Sequence, residues 1–334
     1  MSVPGEAEGG WRLAVVGIMP LYNKRATVLE AIASALAQTR TLEELVIVDD
    51  GSTDGSGDLV AERFAGDLRI RLMRQANAGV SAARNAAIRA SAAPLVAFLD
   101  ADDRWMPRHI EAQAGLMERR PDVMLTFSAA YCHNEATGET RVEGEQIDKA
   151  IYVRKTFFQE KLLPASDSVI VRRDALGAVG LFDESLWMGE DTDLWLRIML
   201  RFDWEHVPEP LVWIRRGRPE TFEGMERGFE GNERYFRKHR RTFGRGAGGA
   251  LVWRPAYGAI LRLNAIEYFR FHRGWKAMGK LVKAVWIWPF FNPSWVLKAA
   301  LEYALGPRLY NGAVRIVRAC VGCRKRPDAS QAES

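Results

Sequence analysis

Carboxylates cluster where apolar runs stop. Residues 95–99, Leu-Val-Ala-Phe-Leu, lead straight into Asp100-Ala-Asp102-Asp103. Paired Asp side chains supply the hard oxygen ligands that Mg²⁺ or Mn²⁺ prefers, so Asp100-x-Asp102 reads as a divalent-cation site on a phosphate. The same residues also read as an acidic turn capping the helix that Trp105-Met106-Pro107 would open. A second apolar run, Leu45 to Val48, ends in Asp49-Asp50-Gly51-Ser52-Thr53-Asp54. A third, Leu13 to Met19, breaks at Pro20-Leu21-Tyr22-Asn23 before helical spacing from Thr27 to Ala37. Parallel strands joined by right-handed helical crossovers present their C-terminal ends on one edge of the sheet, where ligands bind. Tyr22, Asp50 and Asp102 are therefore expected in one crevice. Asn77 to Asn85 opens a helix of small residues and carries Arg84 about one turn inside, a fixed positive charge for phosphates or carboxylates.

Further along, Gly189-Glu190-Asp191-Thr192-Asp193 leads into an amphipathic helical pattern with Leu194, Leu196, Ile198 and Met199. Asp191 at its start is expected to face the crevice rather than the core. Glu190 and Asp191 also suit a plain role as charges complementing the helix dipole. Trp187 just before them either lines a pocket or packs at the helix start. Val212-Trp213-Ile214-Arg215-Arg216-Gly217-Arg218 ends another apolar run in cations.

Five strings, Pro20–Lys24, Val48–Asp54, Asn77–Asn85, Phe98–Asp103 and Gly189–Arg197, resemble in order and spacing those of family-2 glycosyltransferases, whose catalytic domain has the GT-A type nucleotide-sugar fold. They cover roughly the first two-thirds of the chain. The resemblance implies a nucleoside-diphosphate-sugar donor, UDP first because an Asp that accepts from an imide suits uracil or thymine, with guanine N1–H suited as well. It implies Pro20, Tyr22, Asp50, Arg84, Asp100 and Asp102 as the donor-binding set. Within that set, Tyr22 packs on the base, Asp50 accepts the imide N–H, and Asp102 ligates Mn²⁺ or Mg²⁺. Helix capping in the Asp50 string falls to Ser52, Thr53 or Asp54. Asp103 orients its neighbours or caps the next helix. On the acceptor side the resemblance implies Trp187 and Glu190, with Asp191 as the base that takes the proton of the attacking hydroxyl. Attack opposite the leaving diphosphate inverts the anomeric carbon.

The chain departs from the resemblance in one place. A histidine expected near the diphosphate is missing after Trp213, so Arg216 and Arg218 are read either as diphosphate contacts or as solvated surface charges. The acceptor is expected to be a glycan or a lipid-linked glycan of a bacterial surface or extracellular polysaccharide.

At 334 residues and 48% hydrophobic content, the chain has material for one large domain and an appendage. Strand-like and helical stretches alternate up to Ala130, which predicts an α/β fold with a doubly wound, mixed or mostly parallel sheet, flanking helices and a C-terminal helical extension. The expected divisions are a disordered 1–10, a catalytic 11–220 (donor half 11–130, acceptor half 131–220), a helical 221–318 and a flexible basic tail 319–334. His133 to Lys149 reads as a loop or hairpin, Ser166 to Val171 as a strand, and Gly177 to Asp183 as turns. Cys132, Cys320 and Cys323 make no disulfide framework, and no cationic start leads into an apolar run near residue 1, so a cytoplasmic location is expected, at its outermost the inner face of the cell membrane. Basic helix from Arg234 to Arg241, and later tryptophans beside lysines in a chain of net charge +5, suit peripheral contact with anionic lipid or a homodimer. The run Ala284 to Phe291 is too short and too broken by Pro289 to span a bilayer. Nucleic acid is the rival partner for the basic stretch, but it leaves the carboxylates at successive strand ends unexplained. A nucleotidyltransferase would want a glycine-rich, lysine-bearing loop after the first strand, which Pro20–Lys24 is not. A non-catalytic nucleotide-sugar binder would need Tyr22 and Asp50 but not Asp102 and Asp191.

Overall fold

The computed structural model describes residues 13–145, 147, 164–216, 222–243, 257–258, 261, 264–265, 268 and 274–287. Four parallel strands, β1 (Val15–Leu21), β2 (Glu44–Asp49), β3 (Ile70–Arg74) and β4 (Leu95–Phe98), lie side by side in the order β3-β2-β1-β4. Between them run α1 (Val28–Leu36), α2 (Ser56–Arg63) and α3 (Val80–Ala90). The central strands are apolar at nearly every position because both their faces are covered. Val15, Met19, Leu45, Ile47, Leu95 and Ala97 share one core with Val28 and Ile32 of α1 and Ile110 of α4 (His109–Arg119). Phe98, one residue further along β4, turns to the other face and meets Phe182 and Trp195 at ring-centroid distances of 5.6 and 5.2 Å.

Beyond β4 the sheet becomes mixed. β8 (Val169–Arg172) runs antiparallel to β4, β6 (Val123–Asn134) antiparallel to β8, and β9 (Asp203–Arg216) parallel to β6. The two-residue β5 (Arg104–Trp105) pairs antiparallel with β9, Arg104 opposite Trp213, and so ties the acidic loop after β4 to the far edge of the sheet. The polar stretch after β6 is a hairpin: β7 (Thr140–Glu143) pairs back on β6.

Two local readings change. Ser166–Ser168 forms a single tight helical turn before β8 instead of beginning the strand, with Ser168 donating its backbone N–H to Ala165 at 3.0 Å. Arg173–Val179 is a short helix, α5, that takes in Gly177; turns are confined to the residues after Gly180. α6 (Glu190–Met199) follows.

Contacts divide the chain into two compact units, 1–237 and 238–334, the division falling within α7 (Phe222–Phe243). In the second unit α8 (Gly274–Ile287) buries Ala277, Leu281, Ala284 and Ile287. No helix among the described residues is long and apolar enough to cross a membrane. Residues 1–10, Arg218, the glycine-rich 244–249, 288–318 and the tail with Cys320 and Cys323 lie outside the described residues.

Candidate active site

Three strand-end loops meet because their polar groups bond to one another. Asn23 adopts φ 52°, a left-handed conformation that Asn tolerates, and its Oδ1 accepts the backbone N–H groups of Thr53 and Asp54 at 2.8 and 3.3 Å. Asp54 accepts the N–H of Arg25 at 2.9 Å and that of Ser56, at the start of α2, at 2.9 Å. Thr27 donates its hydroxyl to the Ala101 carbonyl at 2.9 Å, and Lys24 forms an ion pair with Asp102. The β1, β2 and β4 loops are thereby fixed relative to one another.

Asp50 is held from three sides. Oδ1 accepts from Gln75 Nε2 at 2.7 Å and from Ala78 N at 2.9 Å, and Oδ2 accepts from Gly79 N at 2.8 Å. Asp50 therefore ties the two residues before α3, Ala78 and Gly79, to the end of β2, while Asp54 from the same string accepts the first N–H of α2, that of Ser56. Gly51, at φ +75°, lets the chain turn here; a side chain on it would come within 2.9 Å of Asn77 N.

Above these loops lies a crevice of about 440 Å³ whose lining includes Tyr22, Lys24, Asp50, Asp100, Asp102 and Trp187. Pro20 lines it too. Tyr22 and Trp187 are exposed, at 48% and 65%. A second crevice of about 600 Å³ shares Asp100, Asp102 and Trp187 with the first and adds Glu190, Asp191 and Arg216. Arg216 lies 3.8 Å from the Cys132 sulfur and 3.9 Å from Glu143. Asp191 sits at the first turn of α6, its Oδ1 accepting the backbone N–H of Thr192 at 2.6 Å. Gly189 before it has φ +75° and lies against the buried ring of Tyr235. Ser128 and Ser166 bring buried hydroxyls to this crevice that have no protein hydrogen-bond partner.

Arg84 stands between the two crevices. Its side chain is 3% exposed and forks to Asp100 Oδ1 at 2.7 Å and to Glu190 Oε1 at 3.0 Å, with the guanidinium over the Phe182 ring. Burial alone would lower its pKa, but the Asp100 and Glu190 charges outweigh burial and hold the proton more tightly than usual. Asn85, the next residue on α3, exchanges hydrogen bonds with Phe182 and so fixes the segment leading to Trp187.

Asp100, Asp103 and Asp167 bring carboxylate oxygens within 4.8 Å of one another. Asp167, in the tight turn before β8, accepts the Asp100 N–H at 2.6 Å; Asp103 accepts the Arg215 N–H at 2.7 Å. Arg215 also donates to the Asp102 carbonyl at 2.8 Å and forms an ion pair with Glu30. Burial raises the Asp103 pKa to about 7, with the Asp100 and Asp102 charges adding to it, and raises Asp167 well above the carboxylate range. The Asp103 charge adds to the rise at Asp167, so burial and neighbouring negative charge together favour the protonated form there. Glu190 is raised to about 7 by burial and by the Asp191 charge, against the pull of Arg84.

The donor-side residues expected from sequence thus lie at the first crevice, with Arg84 behind it, and the acceptor-side residues at the second. The gathered hard-oxygen set is Asp100, Asp103 and Asp167, whereas Asp102 is paired with Lys24. Asp167 and the clamp of Arg215 were not legible in the sequence. Asp167 sits in Ala165-Ser-Asp-Ser168, which reads only as strand, and Arg215 has no feature that sets it apart from Arg216 and Arg218.

Residues 18–180 match the family described as Glycosyl transferase family 2. The chain is 29% identical over 209 residues to the amylovoran biosynthesis glycosyltransferase AmsE of Erwinia amylovora, covering 60% of this chain and 75% of that protein. It is 33% identical to an uncharacterized glycosyltransferase of Rickettsia felis over 54% of this chain, and spans 29% of that protein's length. Among solved structures, the mannosyltransferase PcManGT of Pyrobaculum calidifontis, in complex with GDP-Man and Mn²⁺, superposes with TM-score 0.55 at 19% identity over 94% of this chain and 89% of that one. S. aureus TarS in complex with UDP-GlcNAc gives 0.51 at 16% over 81% and 89%. These likenesses show the fold, GT-A type.

Arg84→Gln leaves Asp100 and Glu190 without their shared cation and is expected to cost about 3–5 kcal/mol of stability by urea unfolding; Arg84→Lys, unable to fork, should fall between. The Asp103 proton contributes stability that is full below about pH 4 and lost as pH rises through about 7. Unfolding free energy should therefore drop by about 2–3 kcal/mol between about pH 5 and pH 8 from Asp103 alone, and Asp167→Asn, which can donate an amide N–H to the Asp103 carboxylate, should lessen that drop.

Proposed function

Because the chain belongs to glycosyltransferase family 2, we propose that it transfers a sugar from a nucleoside-diphosphate sugar to a hydroxyl of a glycan or lipid-linked acceptor, with inversion. The observation that carries this reading is the meeting of two crevices at Asp100, Asp102 and Trp187, one rimmed by Tyr22 and Asp50, the other by Glu190 and Asp191.

In the first crevice the exposed Tyr22 ring offers a face for the base. Asp50 Oδ2 has one hydrogen bond from Gly79 and a carboxylate oxygen accepts two, which suits an imide N–H and makes UDP the first donor to test, as in the UDP-GlcNAc complex of TarS. The GDP-Man complex of PcManGT keeps guanine, whose N1–H would serve as well, as the competitor. Lys24 lies beside Asp102, where it would meet a diphosphate as a point charge. A divalent ion fits the hard carboxylate oxygens here, and Asp102 with Asp100 would hold it, Mn²⁺ or Mg²⁺. When bound it would neutralise charge developing on the leaving diphosphate. Asp103 and Asp167 lie deeper, where burial raises both above the usual carboxylate range.

In the second crevice Asp191 takes the proton of the acceptor hydroxyl as it attacks. Glu190, tied to Arg84, orients the start of α6. Trp187 supplies a flat apolar face for a sugar ring. Arg216, with Arg218 beyond the described residues, adds positive charge toward the diphosphate. Base and leaving group on opposite faces of the sugar make the displacement in-line. The similarity to AmsE supports a bacterial surface or extracellular polysaccharide as the product.

Asp191→Asn should lower transfer by about 10²–10⁴ while leaving nucleotide binding unchanged, whereas Asp102→Asn should weaken nucleotide binding only when metal is present. Calorimetric titration with UDP, dTDP and GDP, each with Mn²⁺ or chelator, checks both; equal affinity with and without Mn²⁺ in the parent protein would refute the metal role. Proton NMR of the anomeric centre should show inversion, and a retained configuration would remove Asp191 as the base.

A further inference from the structure

α8 is apolar on two faces. Ala277, Leu281, Ala284 and Ile287 are 8% exposed or less and pack inward. Trp275, Met278, Val282, Val285 and Trp286, at the three- and four-residue spacing of one helical face, are between 44% and 86% exposed. A stripe of five large apolar side chains with a tryptophan near each end is far more than the scattered exposure of a water-facing helix.

Charge decides what covers it. Lys276, Lys280 and Lys283 lie on the side of the helix between the stripe and the buried face, Lys276 and Lys283 with Nζ 5.9 and 5.4 Å from the Tyr268 and Tyr257 ring centroids, and no Asp or Glu occurs between Gly274 and Ile287. Lys276 Nζ stands 5.5 Å from the Trp275 ring centroid, which places cation and indole at one level, as an interface between hydrocarbon and headgroups requires. At 14 residues the helix is about 21 Å long, too short to span a bilayer and long enough to lie along one.

We propose that this face of α8 docks on an anionic bilayer surface, with the Trp275–Trp286 stripe at the acyl boundary and the lysine flank among the headgroups. A second copy is the poorer occupant, because it would bring together two acid-free, lysine-bearing helices. The net charge of +5 acts in the same direction as the lysines. The proposal does not depend on the glycosyl-transfer reading.

Flotation of the full chain with phosphatidylcholine vesicles, with and without phosphatidylserine, tests it. The protein is expected to float with the anionic vesicles at low salt and to sink with neutral ones or at raised salt. Lys276→Gln/Lys280→Gln/Lys283→Gln should weaken partitioning on the order of a hundredfold, and Trp275→Ser/Trp286→Ser at least about tenfold. Because Lys276 and Lys283 also reach over the buried Tyr268 and Tyr257 rings, thermal melts matching the parent's are required of the variants. Failure of the parent to float with phosphatidylserine at low salt overturns the proposal, as does flotation of the lysine variant equal to the parent's. A sedimenting dimer that Trp275→Ser/Trp286→Ser dissociates, without vesicle binding, assigns the face to a second copy and overturns it too.

Discussion

One buried guanidinium holds the two halves of the site together. Taking a charge out of water costs several kcal/mol unless good geometry returns it, and Arg84 has that geometry: two carboxylates at 2.7 and 3.0 Å and an aromatic ring beneath. Its partners come from the end of β4 and the start of α6, which are 90 residues apart in Asp100 and Glu190. Neither carboxylate can move far without leaving a buried cation unpaired. The distance between the crevices is therefore set by one side chain on α3, and α3 is itself anchored by Asp50 at its N-terminus and by Asn85 to Phe182.

The excess of acid at the strand ends would repel itself apart if every group were ionised. The fold answers in three ways. Arg84 and Lys24 neutralise Asp100 and Asp102 directly, the backbone N–H of Arg215 solvates Asp103, and burial raises the pKa of Asp103 and Asp167 so that protonation relieves their charge. The deepest carboxylates are the ones whose pKa is raised, because burial penalises their charge most.

Much of this was legible in the sequence where the signal is local. Apolar runs that end in Asp49-Asp50 and Asp100-Ala-Asp102 mark both strands and site, since the strand period and the strand-end chemistry lie within ten residues. Gly189-Glu190-Asp191 marks a helix start by the same logic. What could not be read is what only the sheet order creates. Asp167 reaches Asp100 because β8 pairs antiparallel with β4, and Arg215 reaches Asp103 because β9 carries β5 at its edge; no spacing along the chain encodes either approach. Asp50 shows the opposite limit. Its string was legible, but its hold on Ala78 and Gly79 depends on a loop 28 residues away.

The ion pairs of the site are not equivalent, and their difference bears on how a ligand would enter. Arg84 is sealed and doubly paired, so it works as scaffold. Lys24 and Asp102 have side chains 41% and 33% exposed, so water screens their attraction and little is lost when either exchanges its partner. On the proposed reading, the incoming diphosphate offers Lys24 a new anion and the incoming ion offers Asp102 a new cation. The exposed pair then separates without leaving a charge unmatched, while the buried one keeps the walls in place. That division explains why the site can carry so much opposite charge, remain rigid, and still be open at the two groups on which donor binding would depend.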